Sequence, residues 1–135
     1  MNGLSLLEKA FRLEETERTP WVPFVGVHGA KLLGVDAETY LKSSKNLVDG
    51  ISKAIELYRP DGIPVAFDLQ IEAEILGCKL IWSKENPPAV VSHPLSEGVK
   101  LSALSLPEKT DGRIMVVLDA ATILKNKYPI LLYMD

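Results

Sequence analysis

The stretch Ile63–Cys78, IPVAFDLQIEAEILGC, decides how this chain is read. Its first half is an apolar run that stops abruptly on an acid, Asp68. Its second half, Gln70 to Leu76, has the composition of a helix. An apolar run that gives way to a helix through a short polar joint is a strand–helix unit, and units of that kind build parallel sheets. The carboxylate stands at the C-terminal end of the strand. There it has two readings. It caps the helix that begins near Leu69 or Gln70, or it belongs to a site, because strand C-termini face the site in α/β barrels.

Working outward, the same alternation continues. Leu4, Leu7 and Phe11 recur at helical spacing, so residues 4–13 predict a short amphipathic helix. Trp21–Val27, WVPFVGV, predicts a first strand, with Pro23 near its beginning or on an exposed edge. HGAKLLG follows as a loop or a single helical turn. Asp36 suits an N-cap for a turn through Leu41, and Ser43 or Ser44 caps the longest helix. In that helix Leu47, Val48, Ile51, Ala54, Ile55 and Tyr58 form one apolar stripe, and RPDG ends it. After the deciding stretch, with Gly77 closing its helix, CKLIW and AVVSH predict a hairpin joined by SKENPP. A polar excursion through residue 112 runs over the surface. RIMVVLDAATILKNKY fits a helix whose buried stripe is Ile114, Val117, Leu118, Ala121 and Leu124, with Asp111 as cap. IMVVL alone also fits a strand, but Lys125 and Lys127 suit a helix C-terminus. YPILLYMD predicts a third strand at 130–134. A strand without a following helix leaves an edge and a face bare. Such a chain either oligomerises or is the first piece of something longer, and the second reading is preferred.

Composition sets the outer bounds. The 135 residues suffice for one domain, residues 1–135, and 47% apolar with 24% charged residues is an ordinary globular balance. A net charge of −3 with scattered basic residues excludes the concentrated basic face of a nucleic-acid binder. No apolar run reaches the roughly 20 residues of a membrane span, and the N-terminus does not resemble a secretory signal. The expected location is cytoplasmic. One cysteine, Cys78, permits no intrachain disulfide.

Chemistry-bearing motifs are sparse. A zinc site needs three or four Cys, His or carboxylate ligands, and Cys78, His28 and His93 stand at no metal spacing. There is no nucleophile elbow, P-loop or dinucleotide fingerprint. His28 follows the first strand at its C-terminal end, as Asp68 follows the second. His93, before Pro94, suits a turn. Glu72 and Glu74, two apart on a helix, face different ways.

RTPWVPFVG, YRPDGIPVAFDLQIEAEILGCKL and PPAVVSHPL, in that order, resemble the N-terminal part of the uroporphyrinogen decarboxylase superfamily. The most specific piece, DLQIEAEILGC, resembles that superfamily's D-x-x-x-E-A-E-x-L-G-C pattern. The resemblance spans about Leu4 to Asp135. It implies the N-terminal portion of a (β/α)8 barrel: about three parallel strands, their helices and a β-hairpin arm. It also implies a site role for Asp68 at a barrel strand's active-site end. His28, from its own place at the end of the first strand, is a substrate-binding candidate lining the mouth. True decarboxylases carry an Arg-Gln-Ala-Gly-Arg segment after the first strand. Here FVGVHGAKLLG offers one cation, Lys31, and eight substrate carboxylates without paired cations are costly to desolvate. The sequence is therefore more like the corrinoid-linked methyltransferase branch.

That branch implies a parent enzyme that moves a methyl group between a methyl-corrinoid protein and a small thiol or methylated substrate. It implies zinc in the parent, with ligands in the C-terminal half of the family and none carried by this segment. The 135-residue chain alone is expected to bind no metal or cofactor and to be inactive. It is expected to self-associate or to pair with the missing half. Two alternatives stand beside this reading: uroporphyrinogen decarboxylase itself, and a non-catalytic half-barrel that pairs with itself or with a separate second half.

Overall fold

A computed structural model describes residues 2–128. Helix α1 (Gly3–Phe11) opens on Asn2, whose side chain accepts from Ser5 N at 2.9 Å. Its buried residues are Leu6 and Leu7, whereas Phe11 is exposed, so the buried face differs from the expected Leu4–Leu7–Phe11 stripe. HGAKLL forms a six-residue helix, α2 (His28–Leu33), closed by Gly34 in the left-handed region. Asp36 caps α3 (Ala37–Leu41) through Thr39 N at 2.8 Å, and Ser43 caps α4 (Ser44–Tyr58) through Asn46 N at 3.2 Å. Arg59, with φ +49°, stops α4 one residue before Pro60.

Helix α4 is the spine of the core. Leu47, Ile51 and Ala54 are buried on it, against Ala30 of α2, Tyr40 and Leu41 of α3, Ile63 and Val65, and Ala120 and Leu124 of α6 (Ile114–Lys127). Tyr40 fills the space where α2 and α4 approach each other. A Cβ on Gly29 would lie 2.1 Å from its hydroxyl, and one on Gly50 would lie 2.6 Å from its ring. The two glycines thus make the room the phenol occupies, and its burial pushes the hydroxyl pKa upward.

The second half of the deciding stretch becomes α5 (Ile71–Ile75), with Gly77 just beyond it at φ +94°. The expected hairpin follows: β1 (Lys79–Ile81) pairs antiparallel with β2 (Ala89–Ser92), Leu80 opposite Val90 and Ile81 opposite Ala89. Its turn is tied to α3 by Ala37 N donating to Lys84 O at 2.7 Å. The polar excursion contains two short 3-10 turns, Pro94–Glu97 and Leu101–Ala103.

Two expectations need correction. Among the described residues the only ladder is β1–β2, so the parallel strands expected at 21–27 and 63–68 do not form as regular strands. The segments are nevertheless neighbours running the same way. Asp61 N donates to Trp21 O at 2.9 Å near one end, and the Phe24 and Phe67 rings lie 4.9 Å apart near the other. Pro23 and Pro64 supply no N–H to a ladder, and Gly26 turns to φ +49°. The expected third strand, 130–134, lies outside the described residues. The second correction is in α6. Leu124, Val117 and Ala121 of the expected stripe do pack into the core, joined by Ala120, while Ile114 and Leu118 line a groove instead. Asp111 does not cap it either, because that carboxylate accepts from Glu108 N at 2.8 Å.

Candidate functional site

The C-terminal ends of segments 21–27 and 63–68 carry the two residues that the sequence singles out. The run from Asp61 to Val65 is buried, whereas Phe67 is exposed. Only the Phe67 ring turns outward there, and Asp68 is buried again beside it. Beside it, Phe24 and Phe67 form a tilted aromatic pair. A cavity of about 360 Å³ opens over this pair, lined also by Gly26, His28 and Lys31 and walled by Glu85, Asn86 and Pro87 of the hairpin turn. The hairpin arm thus closes one side of a pocket whose floor is made by the segment ends.

His28 is exposed at the start of α2, and its Nε2 lies 2.7 Å from the Tyr58 hydroxyl at the far end of α4. Asp68 lies elsewhere. It lines a groove of about 340 Å³ with Ala66, Ile71, Glu72, Ile114 and Leu118. Among the described residues the two candidates line different cavities.

The Asp68 carboxylate is engaged on both oxygens. Oδ1 accepts from Gln70 N at 2.9 Å, the short-range turn that introduces α5. Oδ2 accepts from Nη1 of Arg113. Arg113 in turn donates from Nε to Glu74 Oε2 at 2.6 Å, and its guanidinium stands 4.8 Å from the Trp82 ring. The local backbone bond and the charge partner are therefore both present. Lys42 approaches Trp82 as well, at 4.2 Å, so the arm's tryptophan meets two cations.

Sequence reasoning missed Arg113, which it read only as the start of a helical run, and Glu74, which it set aside. No local pattern marks an arginine that meets an aspartate 45 positions upstream. It also missed Asp61, read only as part of a helix stop. Arg18 grips that carboxylate in a fork, Nη1 at 2.7 Å and Nη2 at 2.6 Å, and Trp21 N donates to it at 2.8 Å. Those bonds hold the Asp61 carboxyl below the usual carboxylate range despite its burial. His93 takes the expected turn role, its Nδ1 accepting from Ser96 N at 3.2 Å. Among the described residues no three His, Cys, Asp or Glu side chains gather to hold a metal ion. The donor set a zinc ion requires is therefore not met by them, and no step through zinc follows from these residues. No helix among them is long and apolar enough to cross a membrane.

Comparison with known proteins gives three findings. The uroporphyrinogen decarboxylase (URO-D) family pattern matches residues 3–131. A curated relative, the methylated-thiol–coenzyme M methyltransferase of Methanosarcina mazei, is 34% identical over 85 residues, covering 63% of this chain and 23% of the relative. A solved methyltransferase structure from Methanosarcina mazei superposes with a TM-score of 0.83 at 21% identity, covering 98% of this chain and 41% of that one. At that identity the likeness concerns the fold. The chain spans less than half the length of either protein. With a family match along nearly its whole length, the chain belongs to the uroporphyrinogen decarboxylase family, and its likeness to the methylated-thiol–coenzyme M methyltransferase matches the methyltransferase branch.

Proposed function

We propose that this chain is the N-terminal part of a longer (β/α)8 enzyme that transfers a methyl group between a corrinoid carried by a partner protein and a small thiol or methylated substrate. The observation that carries the reading is the family match over residues 3–131 combined with methyltransferase relatives of which this chain would be a fraction. In the thiol direction, the sulfur forms a bond to the methyl carbon while the cobalt–carbon bond breaks. The bonding pair stays on cobalt, and the thiol proton passes to solvent or a base. Zinc, were it bound in the parent, would supply a Lewis acid that favours the thiolate form. Its ligands would come from residues beyond this segment.

Within this chain the proposed roles belong to the segment ends. Asp68 orients substrate or a metal-bound group, and His28 lines the mouth beside the hairpin arm. Among the described residues Lys31 is the single cation lining that cavity, and Glu85 of the arm lines it too. That balance suits a small polar substrate better than an octacarboxylate. The 135-residue chain alone should be inactive, since a barrel site draws on several strand ends.

The test is an assay of the full-length product with methylcobalamin and 2-mercaptoethanesulfonate, run beside a decarboxylation assay with uroporphyrinogen. Methyl transfer without decarboxylation is expected. Decarboxylation without methyl transfer would move the chain to the other branch. A second reading, a non-catalytic half-barrel, draws on the exposed Trp21, Phe24 and Phe67. Stoichiometric co-purification with a separately encoded second half, and no turnover by the pair, would favour it.

A further inference from the structure

The direction of the Asp68 carboxylate is set by a side chain that the proposed function leaves without a role. Arg113 stands at the entrance to α6 with its side chain 8% exposed, against 0% for Asp68. A guanidinium so deeply buried is costly unless paired. Here its Nη1 meets Asp68 and its Nε meets Glu74, so one planar fork spans two carboxylates. Trp82 covers the guanidinium from the hairpin arm. The remaining nitrogen, Nη2, has no hydrogen-bond partner among the described residues. With Gln70 N on its other oxygen, Asp68 is held from two sides. Glu74 serves as the second anchor of the fork rather than as a second catalytic acid.

We propose that Arg113 is a positioning residue: it fixes the orientation of Asp68 at the end of segment 63–68, with Glu74 fixing Arg113 in turn. The proposal rests on the reading that Asp68 meets substrate. A lysine would keep the charge and lose the fork, since an ammonium is a point charge without planar bidentate geometry. Misorienting a group at the reacting centre falls on turnover more than on binding.

The test compares Arg113→Lys, Arg113→Ala and Asp68→Asn in the full-length enzyme with methylcobalamin and 2-mercaptoethanesulfonate. Rates are expressed per folded enzyme from circular dichroism, so that loss of fold alone does not lower them. Arg113→Lys is expected to lower kcat about 10- to 100-fold with KM within about twofold. Added guanidinium is expected to restore part of the activity of Arg113→Ala and none of Asp68→Asn. Wild-type kcat in Arg113→Lys beside an impaired Asp68→Asn overturns the positioning role and leaves the Asp68 reading intact. Wild-type turnover in Asp68→Asn overturns both. In the full-length enzyme, nitrogen-15 NMR gives an independent readout. A slowly exchanging Arg113 Nε–H signal that is lost in Glu74→Gln is expected. An Nε–H that exchanges freely in the unsubstituted enzyme overturns the proposal.

Discussion

Asp68 and Asp61 end up in similar hands by different routes. Each is a carboxylate at one end of the segment that runs through the core, and each is met by a backbone N–H and an arginine distant in sequence. Asp68 is conspicuous in the sequence because it ends an apolar run. Asp61 hides inside a Pro–Asp–Gly turn, and its partner Arg18 sits in a stretch without periodicity. Pairings across about 40 residues leave no local trace, so neither arginine could be found by pattern. Asp61 carries a pH consequence. Its carboxyl is held below its ordinary range, chiefly by the Arg18 hydrogen bond. A lowered folded pKa contributes stability that is present above the unfolded value of about 3.9 and is lost as pH falls through the lower folded value. Thermal melts between about pH 7 and about pH 3 should therefore show Tm falling at the acid end. Asp61→Asn should start from a lower Tm at neutral pH and show a shallower acid slope. An unchanged slope in the variant would remove Asp61 from the acid transition.

At the scale of elements, the helices and the hairpin were legible, and the irregular backbone of segments 21–27 and 63–68 was not. Asp36 and Ser43 cap where expected because a short polar side chain before an apolar stripe is a local signal. The hairpin was legible for a related reason: two short β-like runs flank a turn-rich linker. The segments 21–27 and 63–68 have the apolar composition of strands, but prolines interrupt their hydrogen-bonding edges. Composition reports apolar character there, whereas a ladder also needs donors. On α6 the expected Val117, Ala121 and Leu124 reach the core and Ile114 and Leu118 line a groove, because apolar residues surround that helix almost evenly and α4 chooses the buried face. Helices α2 and α4 pack closely around the Tyr40 ring. Gly50→Ala would press a methyl group into Tyr40 and the Gly29 carbonyl, and should destabilise the fold by about 1–3 kcal/mol in a denaturant melt despite alanine's better helix propensity. A stabilised variant would show that the α2–α4 contact is looser than described.

The whole molecule presents apolar surface that a self-contained domain would bury. Phe24 is 62% exposed and Trp21 50% exposed along the first segment. A groove of about 340 Å³ runs between Ala66, Ile71 and α6, and another of about 310 Å³ runs beside Trp21, Phe24 and Tyr58. Surfaces of this kind associate. Light scattering on the 135-residue chain should therefore show oligomers or growing aggregates, and a monomer that persists at high concentration would count against the partial-barrel reading. The central claim, that this chain is one part of a larger methyltransferase, is tested most directly by the intact mass of the natural gene product. This segment covers 41% of its structural relative. If it makes up the same share of its own protein, its 14.9 kDa predicts a product of roughly 36 kDa. A natural product of 14.9 kDa would contradict the account.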